Sequence, residues 1–449
     1  MFHRHGDRSP TSCLPKQAKQ CPGFWPDGFG QLTPRGMHQL YTLGADYLRP
    51  RYVDQLKVLP GNWSRDSLYV RSTDYDRTLQ SVDSLLQGLY PPGTGPTVWG
   101  SQGTPAVTSQ RVQVVPVVTL PRTEDGILSW NAATCPAWNT ARNAYTAKVE
   151  QETDEAGIFA DVVKELSQET GIEDLNINNM YKALDGLKTD RFHGYPWPEG
   201  ITEDQFNQAI NVSEWTMAQW YATPTMRKQG GGYMVSLLRD RFTARVQGTA
   251  QPEFDPTSYA SPTGDQLTGP RVAIYSAHDL TVLTVLASLQ VLQGPVENPP
   301  YASSAVFELV ALPSSAATSH AVRIWYNKGI GTDGSSGPGT PQPFNTTHNV
   351  VALPGCANVG SGGDILCALD DFMTLTEDVA NADWQPLCGM DTNPPAAKEK
   401  GEFKQWQLVL GSVLGTVLGL LVGAAMVWMC MRKASSAPHG ATAEPYAQI

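Results

Sequence analysis

The chain has 449 residues, 41% of them hydrophobic, with 41 glycines, 34 prolines and a formal net charge of −11. That length and apolar content allow a large core in more than one folding unit and exclude a wholly disordered chain. The acidic balance excludes a broad basic surface for nucleic acid, so any anion must be bound in a local pocket.

The chain opens on MFHRHGDRSP, in which Met1 and Phe2 read as the end of a strand and Arg4 to Pro10 as the loop beyond it. Residues 1–10 hold no apolar h-region or small-residue cleavage site, so a signal peptide is expected upstream of Met1. In LYVRSTDYDRTLQSVDSLLQGLY the run Leu68 to Val70 predicts a short buried strand with Arg71 at its end. Leu79, Val82, Leu86 and Leu89 then recur at helical spacing. Residues 131–224 are expected to form a mostly helical insert, in which Ile158, Val162 and Leu166, with Phe159 and Val163, make an apolar stripe. The strand-then-helix pattern returns at Val272 to Tyr275, followed by His278 and Asp279 and by Leu283, Leu286 and Leu289.

Strands followed by helices predict an α/β fold, a parallel-rich sheet flanked by helices, with ligands bound at the carboxyl ends of the strands. Residues 1–130 and 225–390 are expected to share that unit. An arginine after a strand is ordinarily solvated, and a single His-Asp pair is ordinarily a surface pair. Together, Arg4, His5, Arg8, Arg71, His278 and Asp279 describe a pocket for a compact dianion, because guanidinium forks match phosphate oxygens bidentately and imidazole adds further donors.

Past the sheet, the Gly/Ser/Pro-rich stretch from Gly329 to Pro343 reads as a loop and residues 391–404 as a stalk. Residues 405–431 carry no charge and are long enough to cross a bilayer core of about 30 Å as a helix. Trp406 and Trp428 sit near the ends of this span, and Arg432 and Lys433 begin a cytosolic tail, residues 432–449. Gly411, Gly415, Gly419 and Gly423 fall on one face of it, as in a homodimer contact. The sequons at Asn62, Asn211 and Asn345 all precede the span, as on a lumenal ectodomain of a single-pass type I membrane protein. Cys13, Cys21, Cys135, Cys356, Cys367 and Cys388 give an even number of candidates for disulfides, without metal-ligand spacing, and Cys430 lies at the cytoplasmic edge of the span. The terminal Tyr446 and Ile449 fit a tyrosine-based sorting signal for an adaptor, directing the protein to endosomes or lysosomes, with the cell surface as the alternative.

These residues resemble the histidine acid phosphatases, which include the lysosomal and prostatic enzymes of animals. Arg4 to Pro10 match the R-H-G-x-R-x-P signature and His278-Asp279 the distal H-D motif. LYVRSTDYDRTL, QGGGYMVSLL, NPPYASSAVFEL and LPGC follow in family order. The resemblance implies a phosphoglycerate-mutase-like fold and hydrolysis of small phosphate esters without a cofactor or metal. His5 would be the nucleophile and Asp279 the proton donor, with Arg4, Arg8, Arg71 and His278 on the phosphoryl oxygens. It also implies the disulfides Cys135 with Cys388 and Cys356 with Cys367, leaving Cys13 to Cys21. A further family pair has no match, Ser304 standing near one of its places, and the strand before the R-H-G motif is only partly present. A phosphomutase and a catalytically silent ectodomain for binding or adhesion are the rival readings. The arginines are expected to hold His5 below its reference pKa of about 6.5 until phosphate binds, and activity is expected to fall towards neutrality.

Overall fold

In the computed structural model, residues 1–96, 110–129, 134–154, 157–253, 268–292, 296–314, 316–329 and 350–390 are described. The expected stalk, span and tail, with Cys430, Tyr446 and Ile449, lie outside the described residues, as do Asn345 and the Gly329–Pro343 loop beyond its first residue. No helix among the described residues is long and apolar enough to cross a membrane.

In chain order the elements are β1 (Phe2–Arg4), α1 (Cys21–Phe24) and α2 (Pro34–Thr42), which runs on as a wider-wound segment, Leu43–Gln55. Next come β2 (Leu68–Ser72) and α3 (Asp76–Leu89). Four helices follow, α4 (Pro136–Thr153), α5 (Ile158–Thr170), α6 (Tyr181–His193) and α7 (Glu203–Gln219), and then the long α8 (Pro224–Gln247). The described residues end with β3 (Val272–Ala277), α9 (Asp279–Ser288), β4 (Ser304–Ala311), β5 (His320–Asn327), β6 (Val350–Val351), β7 (Cys367–Ala368), α10 (Leu369–Leu375) and α11 (Trp384–Leu387).

The strands form one sheet of order β2-β3-β1-β4-β5-β6, with β7 also paired to β5. β2, β3 and β1 are mutually parallel, whereas β4, β5, β6 and β7 join antiparallel. The sheet is therefore mixed rather than parallel-rich. Its antiparallel half comes from the direct β4 to β5 reversal, with no covering helix between the two strands.

Side chains alternate across the strands and fill a core on each face. On one face Phe2, Tyr275, Phe307 and Ile324 pack with Val235 and Leu238 of α8 and Val282, Val285 and Leu286 of α9. On the other, Val70, Ile274, Val306 and Trp325 pack with Leu40, Leu43, Val82, Leu85 and Leu89. A separate core joins Leu14 to α5, α6 and α7. Val162 and Leu166 of the expected stripe lie in it and Phe159 and Val163 pack against it, but Ile158 is 56% exposed. Ile158 opens α5, where its N–H caps onto Asp154 Oδ1 at 2.7 Å and its side chain faces out. The disulfides are Cys13–Cys21, Cys135–Cys388 and Cys356–Cys367. Asn62 and Asn211 are exposed, the latter on α7.

The loop after β1 meets the start of α2 without clearance. A Cβ on Gly36 would stand 2.1 Å from the Asp7 carbonyl oxygen, and one on Gly6 would stand 2.3 Å from the Gly36 carbonyl oxygen. Gly36→Ala is therefore expected to destabilise the protein by about 1–3 kcal/mol, as overpacking does. A urea midpoint equal to that of the wild type would contradict this contact.

Candidate active site

Parallel register builds the site. Arg4 at the end of β1 lies opposite Ala277 at the end of β3, so the next residues, His5 and His278, emerge side by side. Their ring centroids are 5.7 Å apart and nearly perpendicular, at 74°. The His5 backbone is fixed from two sides. Its N–H donates to Ala277 O at 3.0 Å, and its carbonyl accepts from Ala302 N at 3.1 Å. His5 Nδ1 lies 2.8 Å from Gly6 O. A carbonyl can only accept, so Nδ1 carries the proton and Nε2 presents a bare lone pair.

The following loop is held from below and above. Gly6 N donates to Ser81 Oγ of α3 at 3.1 Å, and Asp7 N to Gln39 Oε1 of α2 at 2.8 Å. Asp7 Oδ2 accepts from Thr33 Oγ1 and lies 2.8 Å from His193 Nε2 at the end of α6. Arg8 forms a fork onto Asp185 of the same helix, at 2.8 Å and 3.3 Å. Arg4 donates to Pro299 O at 2.6 Å, pairs with Asp279 Oδ2 at 3.1 Å and stacks 4.2 Å from the Tyr301 ring centre.

Arg71 stands elsewhere. β2 runs two residues beyond the expected Val70, so Arg71 is a ladder residue opposite Tyr275. Its guanidinium is taken by Asp125 Oδ1 and Glu253 Oε1, both at 2.6 Å, in a buried network shared with Arg241 and the Tyr275 hydroxyl. The expectation that Arg71 faces the phosphoryl group is corrected. The third cation acting on both histidines is Arg77, in the first turn of α3. Arg77 rests on the Tyr75 ring at 4.3 Å, and Tyr75 in turn meets His278 edge-on at 5.2 Å. No ion pair or hydrogen bond to its guanidinium is found among the described residues, and its Nε is buried without a partner.

Burial and then the Arg8, Arg4 and Arg77 charges push His5 well below its usual pKa. The expected direction holds, with desolvation rather than the arginines as the leading cause. Burial and Arg77 likewise bring His278 down to about 3, against the opposing pull of Asp279. Burial works against ionisation of Asp279, yet Arg4, the Leu280 N–H and His278 hold it below the usual carboxylate range. Burial and the neighbouring Arg8 lower Arg77 to about 10. The site thus sets neutral imidazoles beside Arg4, Arg8 and Arg77, of which Arg77 alone has no carboxylate on it among the described residues. His278 Nε2 is 3.1 Å from Thr73 Oγ1, which fixes the ring.

Residues 1–327 match the histidine phosphatase superfamily (branch 2), and the chain belongs to that family. It is 31% identical to lysosomal acid phosphatase of Homo sapiens over 400 residues, covering 88% of this chain and 80% of the relative. Prostatic acid phosphatase of Rattus norvegicus is 28% identical over 402 residues, covering 88% and 90%. In fold the chain is similar to the phytase of Klebsiella sp. ASR1, with a TM-score of 0.57, 17% identity and coverage of 85% of this chain and 96% of that one.

Arg77, Asp185, His193 and Tyr301 were not singled out from sequence. Arg77 lies within the LYVRSTDYDRTL segment, six residues past Arg71. The contacts of Asp185 and His193 join positions more than 170 residues apart, and no spacing rule reports them.

The buried histidines make stability pH-dependent. The unfolded chain takes up protons near pH 6.5, whereas folded His3 resists until about 4 and His278 until about 3. The unfolded state therefore binds more protons throughout that window, and stability falls as pH drops below 6.5. The expected result is a Tm that declines from pH 6.5 towards 4 and is partly restored by inorganic phosphate. A Tm flat across that range without phosphate would contradict the burial of neutral rings.

Proposed function

We infer that the protein is an acid phosphatase that hydrolyses phosphate monoesters through a phosphohistidine intermediate. The observation that carries this reading is the pair of neutral imidazoles, 5.7 Å apart, ringed by Arg4, Arg8 and Arg77. The acid phosphatase names of the relatives support it.

In this mechanism the dianionic phosphoryl group enters between the guanidiniums, which offset the charge on its three non-bridging oxygens, and His278, which donates a hydrogen bond to one of them. His5 Nε2 attacks phosphorus while Nδ1–H stays bonded to Gly6 O, so charge gained by the ring is shared with a fixed dipole. The P–O bond to the leaving group breaks as Asp279 gives that oxygen a proton. Water then loses a proton to Asp279 and attacks phosphorus, breaking the P–N bond and releasing inorganic phosphate with His5 restored. Arg4 favours the Asp279 carboxylate. The incoming dianion engages Arg4 and repels that carboxylate, raising its pKa in the complex. Activity therefore declines as pH rises through the Asp279 pKa of the bound state.

The lysosome is the proposed compartment, supported by the relatives' names and by an acid-dependent mechanism. The proposed single type I span at 405–431, the dimer face and the Tyr446/Ile449 adaptor signal rest on the sequence.

Rapid quenching into alkali with labelled phenyl phosphate should trap label on the wild type and none on His5→Ala. Equal labelling of the two would falsify the nucleophile assignment. Arg77→Ala should lower kcat/KM by about 10²-fold or more, as loss of a transition-state charge donor does. Arg71→Met should act mainly on Tm by leaving Asp125 without its ion pair and Glu253 with Arg241 and Tyr275 alone. Asp279→Asn should slow alkyl phosphates far more than p-nitrophenyl phosphate, whose leaving group needs little protonation. Equal slowing of both would count against Asp279 as the acid.

A further inference from the structure

One face of α6 looks onto the pocket. Asp185, Lys188 and Phe192 are spaced i, i+3 and i+7, which aligns them along one stripe of a helix. The two outer members touch the site directly. Asp185 holds Arg8 in its fork, and the Phe192 ring lies 6.5 Å from that of Tyr301, the ring stacked on Arg4. Lys188 lies between them on the same stripe, within electrostatic reach of Arg4 and Asp279.

Its charged neighbours agree with that placement. They are Arg4 and Asp279 from the sheet ends, Asp185 from its own helix and Glu214 from α7. Glu214 itself accepts from Asn298 N at 3.2 Å, one residue before the proline whose carbonyl holds Arg4. Asp185 is engaged by Arg8 and Thr11, and Asp279 by Arg4. Among the described residues Lys188 itself makes no ion pair within 4.0 Å and no hydrogen bond. It is half-buried, and burial holds its pKa below the usual lysine value. Glu214 is its foremost carboxylate neighbour but stands beyond 4.0 Å, so the desolvated ammonium keeps donors open to an anion that arrives with the substrate.

We propose that Lys188 is a specificity-determining residue that recognises a second anionic group on the leaving-group side of the substrate. The group is a carboxylate or second phosphate carried close to the scissile ester. This deepens the acid phosphatase reading and rests on it. Arg8 and Arg77 remain committed to the phosphoryl group, while Lys188, one turn along α6 from the Asp185 that holds Arg8, is left for a group beyond the scissile oxygen.

The test compares 4-carboxyphenyl phosphate with phenyl phosphate on wild type, Lys188→Met and Lys188→Arg. The readout is the ratio of their kcat/KM values, which cancels any general loss of folded enzyme. The wild type should prefer the carboxylated ester. Lys188→Met should lower the ratio about tenfold, the worth of one charge-assisted hydrogen bond, and Lys188→Arg should largely retain it. The change should appear in KM rather than kcat, since the carboxylate is bound equally in the ground and transition states. A wild-type ratio near one, or a ratio that does not change in Lys188→Met, overturns the proposal. Absence of phenyl phosphate turnover by the wild type would instead overturn the phosphatase reading itself.

Discussion

The parallel pairing of β1 with β3 is the constraint on which the remaining chemistry depends. Two strands distant in sequence end at the same level, and each is followed at once by a histidine. Backbone hydrogen bonds therefore set the spacing of the two rings. The His5 amide bonded to Ala277 O leaves the first ring little room to drift from the second. A site fixed by a ladder is positioned more tightly than one fixed by loop packing, and attack on phosphorus requires such positioning.

Charge is distributed around this pair in two ways. Arg4 and Arg8 are each paired with a carboxylate, Asp279 and Asp185, which keeps them desolvated at tolerable cost. Arg77 has no such partner among the described residues and rests on an aromatic face. The paired arginines are oriented in advance, and the unpaired one supplies the excess positive field that an anion offsets. Arg71 belongs to a different economy, a buried network with Asp125, Glu253, Arg241 and Tyr275 that ties β2 and β3 to α8.

Much of this was legible in the sequence. Contiguous motifs such as Arg4 to Pro10 and His278-Asp279 carry their own chemistry, and the apolar runs before them gave the strands. The errors have physical causes. Arg71 follows three apolar residues, as a strand-end residue would, but β2 continues through it. The carboxylates that bind it lie 54 and 182 positions away. Arg77 was hidden by its place inside the first turn of a helix rather than in the turn before it. The antiparallel half of the sheet arises from β4 and β5, whose pairing depends on a direct reversal and not on any residue of the site. Ile158 fitted the helical period but falls at the helix start, where that face has no neighbour.

Helix α6 is fastened to the nucleophile loop near both of its ends, by Asp185 on Arg8 and by His193 on Asp7. Lifting it would strand buried charges at a cost of about 3–5 kcal/mol for such a pair. It is consequently a fastened roof over the nucleophile loop rather than a freely hinged lid. Selectivity on such a scaffold can change through single side chains on the underside of the roof, leaving the reaction centre beneath it untouched.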